Sequence, residues 1–170
     1  RSVREMIALK IEDLKGFTTK LFVRDTFDGL CVREARVATF SSFSIDGRIR
    51  PGYYTKDERE AEGIREYASW RMLRPFCFSL IKGKRLPGSF HIEFALGPEE
   101  TASFAEETGG NWRPEMVKGL YLGVRYENGE LWCVTGLSLE GFTMDRSLEY
   151  RWDEAVKTFL RKNEIAFAEQ

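Results

Sequence analysis

The sequence predicts an α+β domain built on antiparallel sheet, and three observations carry that prediction. Leu120, Leu122, Val124 and Tyr126 alternate with Tyr121, Gly123 and Arg125, the period of a strand with one buried face. Asn128-Gly129 follows, and a two-residue loop of this kind takes a type I′ turn with positive φ at both positions. Leu148, Trp152, Ala155, Val156, Phe159 and Leu160 then recur at helical spacing, an apolar stripe made to lie on a sheet.

The turn fixes the hairpin register. It sets Tyr126 opposite Leu131, Val124 opposite Cys133, Leu122 opposite Thr135 and Leu120 opposite Leu137, with Arg125 facing Trp132 as a candidate cation–π pair. Upstream, Met6 to Ile11 reads as a short strand. Ile11, Leu14, Phe17, Leu21 and Phe22 give a helix over about 12–23, with acidic Glu12 and Asp13 at its positive end. Leu30 to Ile49 gives one or two strands with Asp46-Gly47 as a turn. Residues 56–66 are dense in charge, with only Ala61 and Ile64 apolar, the pattern of a solvated helix or loop.

Pro75 places the next helix start near Arg74, because proline fits only a first turn. That helix ends at Gly83. Phe90, Ile92, Phe94 and Leu96 alternate with His91 and Glu93 as a strand. Residues 98–107 form a short helix, and Gly109-Gly110-Asn111-Trp112 lies in a loop. The final helix starts near Asp145 or Ser147, with Glu149, Asp153 and Glu154 early and Lys157, Arg161 and Lys162 late. The domain is expected over 6–163, with 1–5 as an N-terminal extension and 164–170 as a frayed tail.

Composition narrows the function classes. The 170 residues are 42% hydrophobic, enough for a packed core, and 26 basic against 27 acidic residues leave a net charge of −1. That balance argues against a whole-molecule grip on nucleic acid or an anionic membrane. No apolar run reaches the ~20 residues of a membrane span, and no signal peptide is visible. Cys31, Cys77 and Cys133 are odd in number and widely spaced. They fit no zinc or disulfide framework and read as reduced, buried thiols, which points to the cytoplasm.

Candidate chemistry is sparse. His91, the one histidine, leaves its strand on the same face as Glu93, and such a pair suits acid–base work. No nucleophile or second acid stands at a recognisable spacing, so a structural or surface histidine is the better reading. Lys82, Lys84 and Arg85 make the one compact basic cluster. With Arg48 and Arg50 they are candidate phosphate contacts, although a helix C-terminus already accounts for two of the charges. Trp112, in its loop, is a candidate contact for a partner. Trp70, Trp132 and Trp152 read as core or strand-face residues. No metal set and no cofactor fingerprint is present. The leading reading is a non-catalytic binding or adaptor module with a protein partner. The alternatives are a small enzyme acting on a phosphorylated substrate through His91 and Glu93, and a weak nucleic-acid-binding module.

Three stretches carry a resemblance: 39–47 (Thr39-Phe40-Ser41-Ser42-Phe43-Ser44-Ile45-Asp46-Gly47), 73–85 (Leu73-Arg74-Pro75-Phe76 through Arg85), and Cys133-Val134-Thr135-Gly136 running into Phe142-Thr143-Met144-Asp145. They resemble an uncharacterised family of small proteins from anaerobic Gram-positive bacteria, over nearly the whole chain from Met6. That resemblance implies no activity and no catalytic residues. A weaker likeness concerns layout. The 6–11 strand running into a helix, the helix before Leu86-Pro87 and the Asn128-Gly129 hairpin are similar to a single domain of a bacterial DNA sliding clamp. This likeness implies helices packed mainly on one face of the sheet, with an added C-terminal helix and an inserted charged segment as departures.

Overall fold

The computed structural model describes residues 3–83 and 85–170. The strands are β1 (Arg4–Ile11), β2 (Cys31–Ala38), β3 (Ser42–Asp46), β4 (Ser89–Ala95), β5 (Val117–Glu127), β6 (Glu130–Leu139) and β7 (Phe167–Glu169). The helices are α1 (Leu14–Phe22), α2 (Lys56–Glu62), α3 (Trp70–Ile81), α4 (Pro98–Thr108) and α5 (Ser147–Lys162), and a short 3-10 turn spans Pro114–Met116. All seven strands join one antiparallel sheet in the order β3-β2-β4-β5-β6-β1-β7.

The hairpin at the centre of this sheet forms in the expected register, with Val124 on Cys133 and Leu120 on Leu137. Asn128 sits at φ 54° and Gly129 at φ 75°, as a type I′ turn requires. Register then propagates outward. Ile45, Ala35, Ile92, Val124, Cys133 and Leu9 form one continuous row across six strands, and that face is the core. Phe17, Leu21 and Phe22 of α1, Trp70 and Cys77 of α3, and Leu148, Trp152, Val156 and Leu160 of α5 join it in one buried cluster. Edge-to-face aromatic contacts stitch the layers: Phe22 to Phe90 at 5.1 Å and Trp70 to Phe94 at 5.4 Å between ring centroids. The opposite face carries a small apolar cluster of Cys31, Ala95 and Tyr121, with Val3 and Tyr67 packed against it.

Four expectations need correction. Helix α3 begins at Trp70, four residues before Arg74, with Pro75 inside it. Pro75 lacks the N–H that would bond the Arg71 carbonyl, yet tertiary contacts hold the first turn. Trp70 donates its indole N–H to the Leu21 carbonyl at 2.7 Å, and Arg74 grips both carboxylate oxygens of Asp28 at 2.8 Å. The 164–170 tail is not frayed. Ile165 is buried, Phe167–Glu169 pairs with β1, and Gln170 N–H bonds the Ala8 carbonyl at 3.2 Å. Residues 4 and 5 belong to β1, where Arg4 pairs with Glu149 and Glu5 with Arg125. Arg125 therefore does not stack on Trp132; Lys10 does, 5.9 Å from the ring centroid. Helix α2 has no buried residue, in keeping with its charge.

Candidate functional site

The helix-free face of the sheet gathers the polar side chains that the strand parity sends away from the core. Arg36, His91, Arg125, Trp132 and Lys10 are direct cross-strand neighbours on β2, β4, β5, β6 and β1. Glu34 and Glu93 lie in the adjoining row. Arg36 Nη2 donates to His91 Nδ1 at 2.7 Å, and His91 Nε2 is 3.1 Å from Glu93 Oε2. A guanidinium can only donate, so Nδ1 is the unprotonated nitrogen and Nε2–H donates to Glu93. Arg125 Nε lies 3.3 Å from the same Nε2, but one nitrogen cannot accept from it while donating to Glu93. Arg125 has its own partner in Glu5, and this pairing is the main cause holding the Glu5 carboxyl below the usual range. Arg36 also pairs with Glu34 at 3.3 Å.

Both ring nitrogens of His91 are thus engaged, and among the described residues no hydroxyl or thiol is hydrogen-bonded to either. A shallow depression of about 390 Å³ adjoins the network, lined by Ser42, Ser44, Ser89, His91 and Arg125 among others. Arg85 does not line it, and Lys84 lies outside the described residues. His91 and Glu93 are brought together as the sequence suggested, with Arg36 and Arg125 rather than with Lys82 or Arg85.

Among the described residues, the basic candidates do not converge. Lys82 and Arg85 are exposed and precede Gly88, whose N–H bonds the Ala38 carbonyl. Arg48 and exposed Arg50 follow Gly47, whose N–H bonds the Arg33 carbonyl. Positions 33 and 38 are separated by roughly 17 Å along β2 at the usual rise of an extended strand, so the two groups sit at opposite ends. Arg48 is engaged by Glu66 at 3.1 Å and stacks on Tyr67 at 5.5 Å. Trp112 is not an exposed loop residue. It is half-buried against the main core, and its ring lies where a side chain on Gly110 would be, 2.2 Å from an added Cβ.

A larger opening, about 620 Å³, lies on the same face at the other end of β2 and β5, beside the first turn of α4. Cys31, Ala95 and Tyr121 form its apolar floor, with Arg33, Tyr67 and Ser138 also in its lining. Sequence reasoning missed it. The available signal was Tyr121 two residues after Gly119, which leaves the space its ring occupies: an added Cβ on Gly119 would meet the Tyr121 hydroxyl at 2.1 Å. What could not be read was that β2 lies next to β4, which brings Cys31 and Arg33 to that place.

The three cysteines are free and buried, and desolvation pushes the Cys77 thiol up to about 11 and the Cys133 thiol higher. Among the described residues, no group of three or more His, Cys, Asp or Glu side chains is placed to hold a metal ion, and no helix is long and apolar enough to cross a membrane.

A family model described as a family of unknown function (DUF5721) covers residues 20–168, and the chain belongs to that family. No curated protein and no solved structure matches it, so the α+β fold stands on its own and the likeness to a sliding-clamp domain gains no support.

Proposed function

We propose that this member of a family of unknown function is a non-catalytic binding module that meets a protein partner through the helix-free face of its sheet. One observation carries the reading: His91, the sole histidine, is locked between Arg36 and Glu93 and has no nitrogen left to activate a nucleophile. A general base must reach the proton it abstracts, and this ring reaches only its own neighbours. The face around it is broad and of mixed charge. Half-buried Trp132, with Lys10 above it, offers the amphipathic aromatic surface that anchors protein contacts. Three reduced, buried thiols support a reducing compartment, the cytoplasm.

The reading is tested by affinity capture from the native host, comparing wild type with Trp132→Ala and Lys10→Glu on the open face and Phe76→Ala on the helical side. Phe76 is exposed on α3. Partners lost with the open-face variants and kept with Phe76→Ala support the proposal. Partners indifferent to both open-face variants overturn it. So does hydrolysis of a generic phosphoester that disappears in His91→Ala, which would restore the enzyme reading.

A further inference from the structure

We infer that the cavity beside the first turn of α4 binds a small organic anion, a carboxylate or phosphate, with Arg33 meeting its charge and Ser138 its oxygen. The inference rests on the binding reading above and adds a ligand class at a definite place on the same face. Its volume of about 620 Å³ falls within the ~300–1,000 Å³ of ordinary ligand pockets.

Among the described residues, the Ser138 and Arg33 side chains of the lining have no hydrogen-bond or ion-pair partner. Ser138 is 2% exposed, and its Oγ is a buried side-chain atom without a hydrogen-bond partner among the described residues. A buried hydroxyl in that state is unusual, because buried polar atoms are nearly always satisfied. Arg33 is half-buried, with its guanidinium 4.8 Å over the Tyr121 ring. Among the described residues no carboxylate lies within ion-pair distance of it. The other cations of the lining are engaged: Arg48 by Glu66 at 3.1 Å and Lys118 by Glu140 at 3.7 Å.

Charge decides the sign of the ligand. Glu66, Glu106 and Glu115 also line the opening, but all three are exposed, where water and salt screen them, and Glu66 is already paired with Arg48. Arg33 is the less solvated charge, and the first turn of α4, through Pro98 and Thr101, adds the positive end of a helix dipole to the wall. A cationic ligand would meet both. An anion satisfies Arg33 and accepts from Ser138, while the floor of Cys31, Ala95 and Tyr121 takes an apolar body.

The experiment is a ¹H–¹⁵N NMR titration of the intact chain with phenyl phosphate, benzoate and inorganic phosphate at millimolar concentration. Expected are shifts at the amides of Cys31, Ala95, Tyr121 and Ser138, with the better of the two organic probes identifying the headgroup. Arg33→Met, which keeps an apolar stem over Tyr121, should weaken binding about ten-fold or more, as the loss of a charge-assisted contact does. Ser138→Ala deletes one unpartnered atom, keeps the fold, and should weaken binding a few-fold. Absence of shifts with every probe, or affinity untouched by both substitutions, overturns the anion site. Inorganic phosphate binding as tightly as phenyl phosphate overturns the organic part of the assignment. Shifts at Arg36, His91 and Arg125 instead would overturn the cavity while leaving the open binding face in place.

Discussion

Asp153 shows how one side chain can set a pH response in this fold. It is buried on α5, where it accepts the Thr135 hydroxyl at 2.6 Å. Desolvation is the first cause raising its pKa, opposed by the Thr135 bond and by Lys157. A carboxyl raised on folding favours the protonated form of the native state. Its contribution to stability is full below the ordinary carboxylate range and is lost as pH rises through the raised value. Asp153→Asn keeps the acceptor oxygen for Thr135 and removes the buried charge. It should melt higher than wild type at neutral pH, with the gain shrinking as the pH falls toward the ordinary carboxylate range. Thermal melts across that range check it; a variant less stable at neutral pH than at acid pH, relative to wild type, would reverse the sign. Neither the burial nor the Thr135 contact was legible in the sequence, where Asp153 reads as one more acid in an early helical turn. Trp112 failed in the opposite sense. A tryptophan among glycines suggests exposure, but Asn111 N–H bonds the Asp145 carboxylate at 2.8 Å, which ties the loop down and lays the ring on the core.

At the scale of elements, local chemistry was legible wherever it was sufficient by itself. The Asn128-Gly129 turn fixed the register of β5 on β6 without outside help, and the amphipathic stripe placed α5. Where tertiary contacts outweigh local preference, the reading failed. Trp70 and Arg74 hold a helical turn ahead of Pro75, and Phe167–Glu169, with no strong pattern of their own, are held as a strand by β1. The α5 packing gives a measurable consequence. Trp152 is 6% exposed, donates its indole N–H to the Tyr121 carbonyl at 2.9 Å, and meets Phe104 edge-on. It also borders an apolar pocket of about 250 Å³, lined by Leu30, Phe94, Leu122 and Phe159. Trp152→Ala would enlarge that pocket and remove the indole hydrogen bond to the sheet. The expected cost is about 3–5 kcal/mol, or a fall of roughly 10 °C in Tm for a domain of this size. A melt unchanged from wild type would make α5 peripheral to the core.

At the scale of the whole molecule, what decides function is which residues the topology brings together. The His91–Glu93 pair was legible because both lie on one strand with the same parity. Its neighbours Arg36 and Arg125 were not, since the order β2-β4-β5 is a non-local fact that no short window holds. The same order separates the basic residues. Lys82 and Arg85 stand by the Ala38 end of β2, Arg48 and Arg50 by the Arg33 end, and Arg48 is already paired with Glu66. Non-specific affinity for nucleic acid grows with the number of phosphates neutralised together, and split groups neutralise few. With 27 acidic residues against 26 basic, no long-range attraction makes up the difference. Fluorescence anisotropy with duplex DNA, single-stranded DNA and RNA should therefore show weak binding at most at low salt, lost by about 200 mM. Any residual signal should fall only slightly in a Lys82→Ala, Arg85→Ala variant and should not fall further than additively when Arg48→Ala and Arg50→Ala are combined with it. Tight binding that survives moderate salt, or a loss in the fourfold variant far beyond the sum of its halves, would mean that the two ends of β2 act on one strand of nucleic acid together, and would return the protein to the nucleic-acid class.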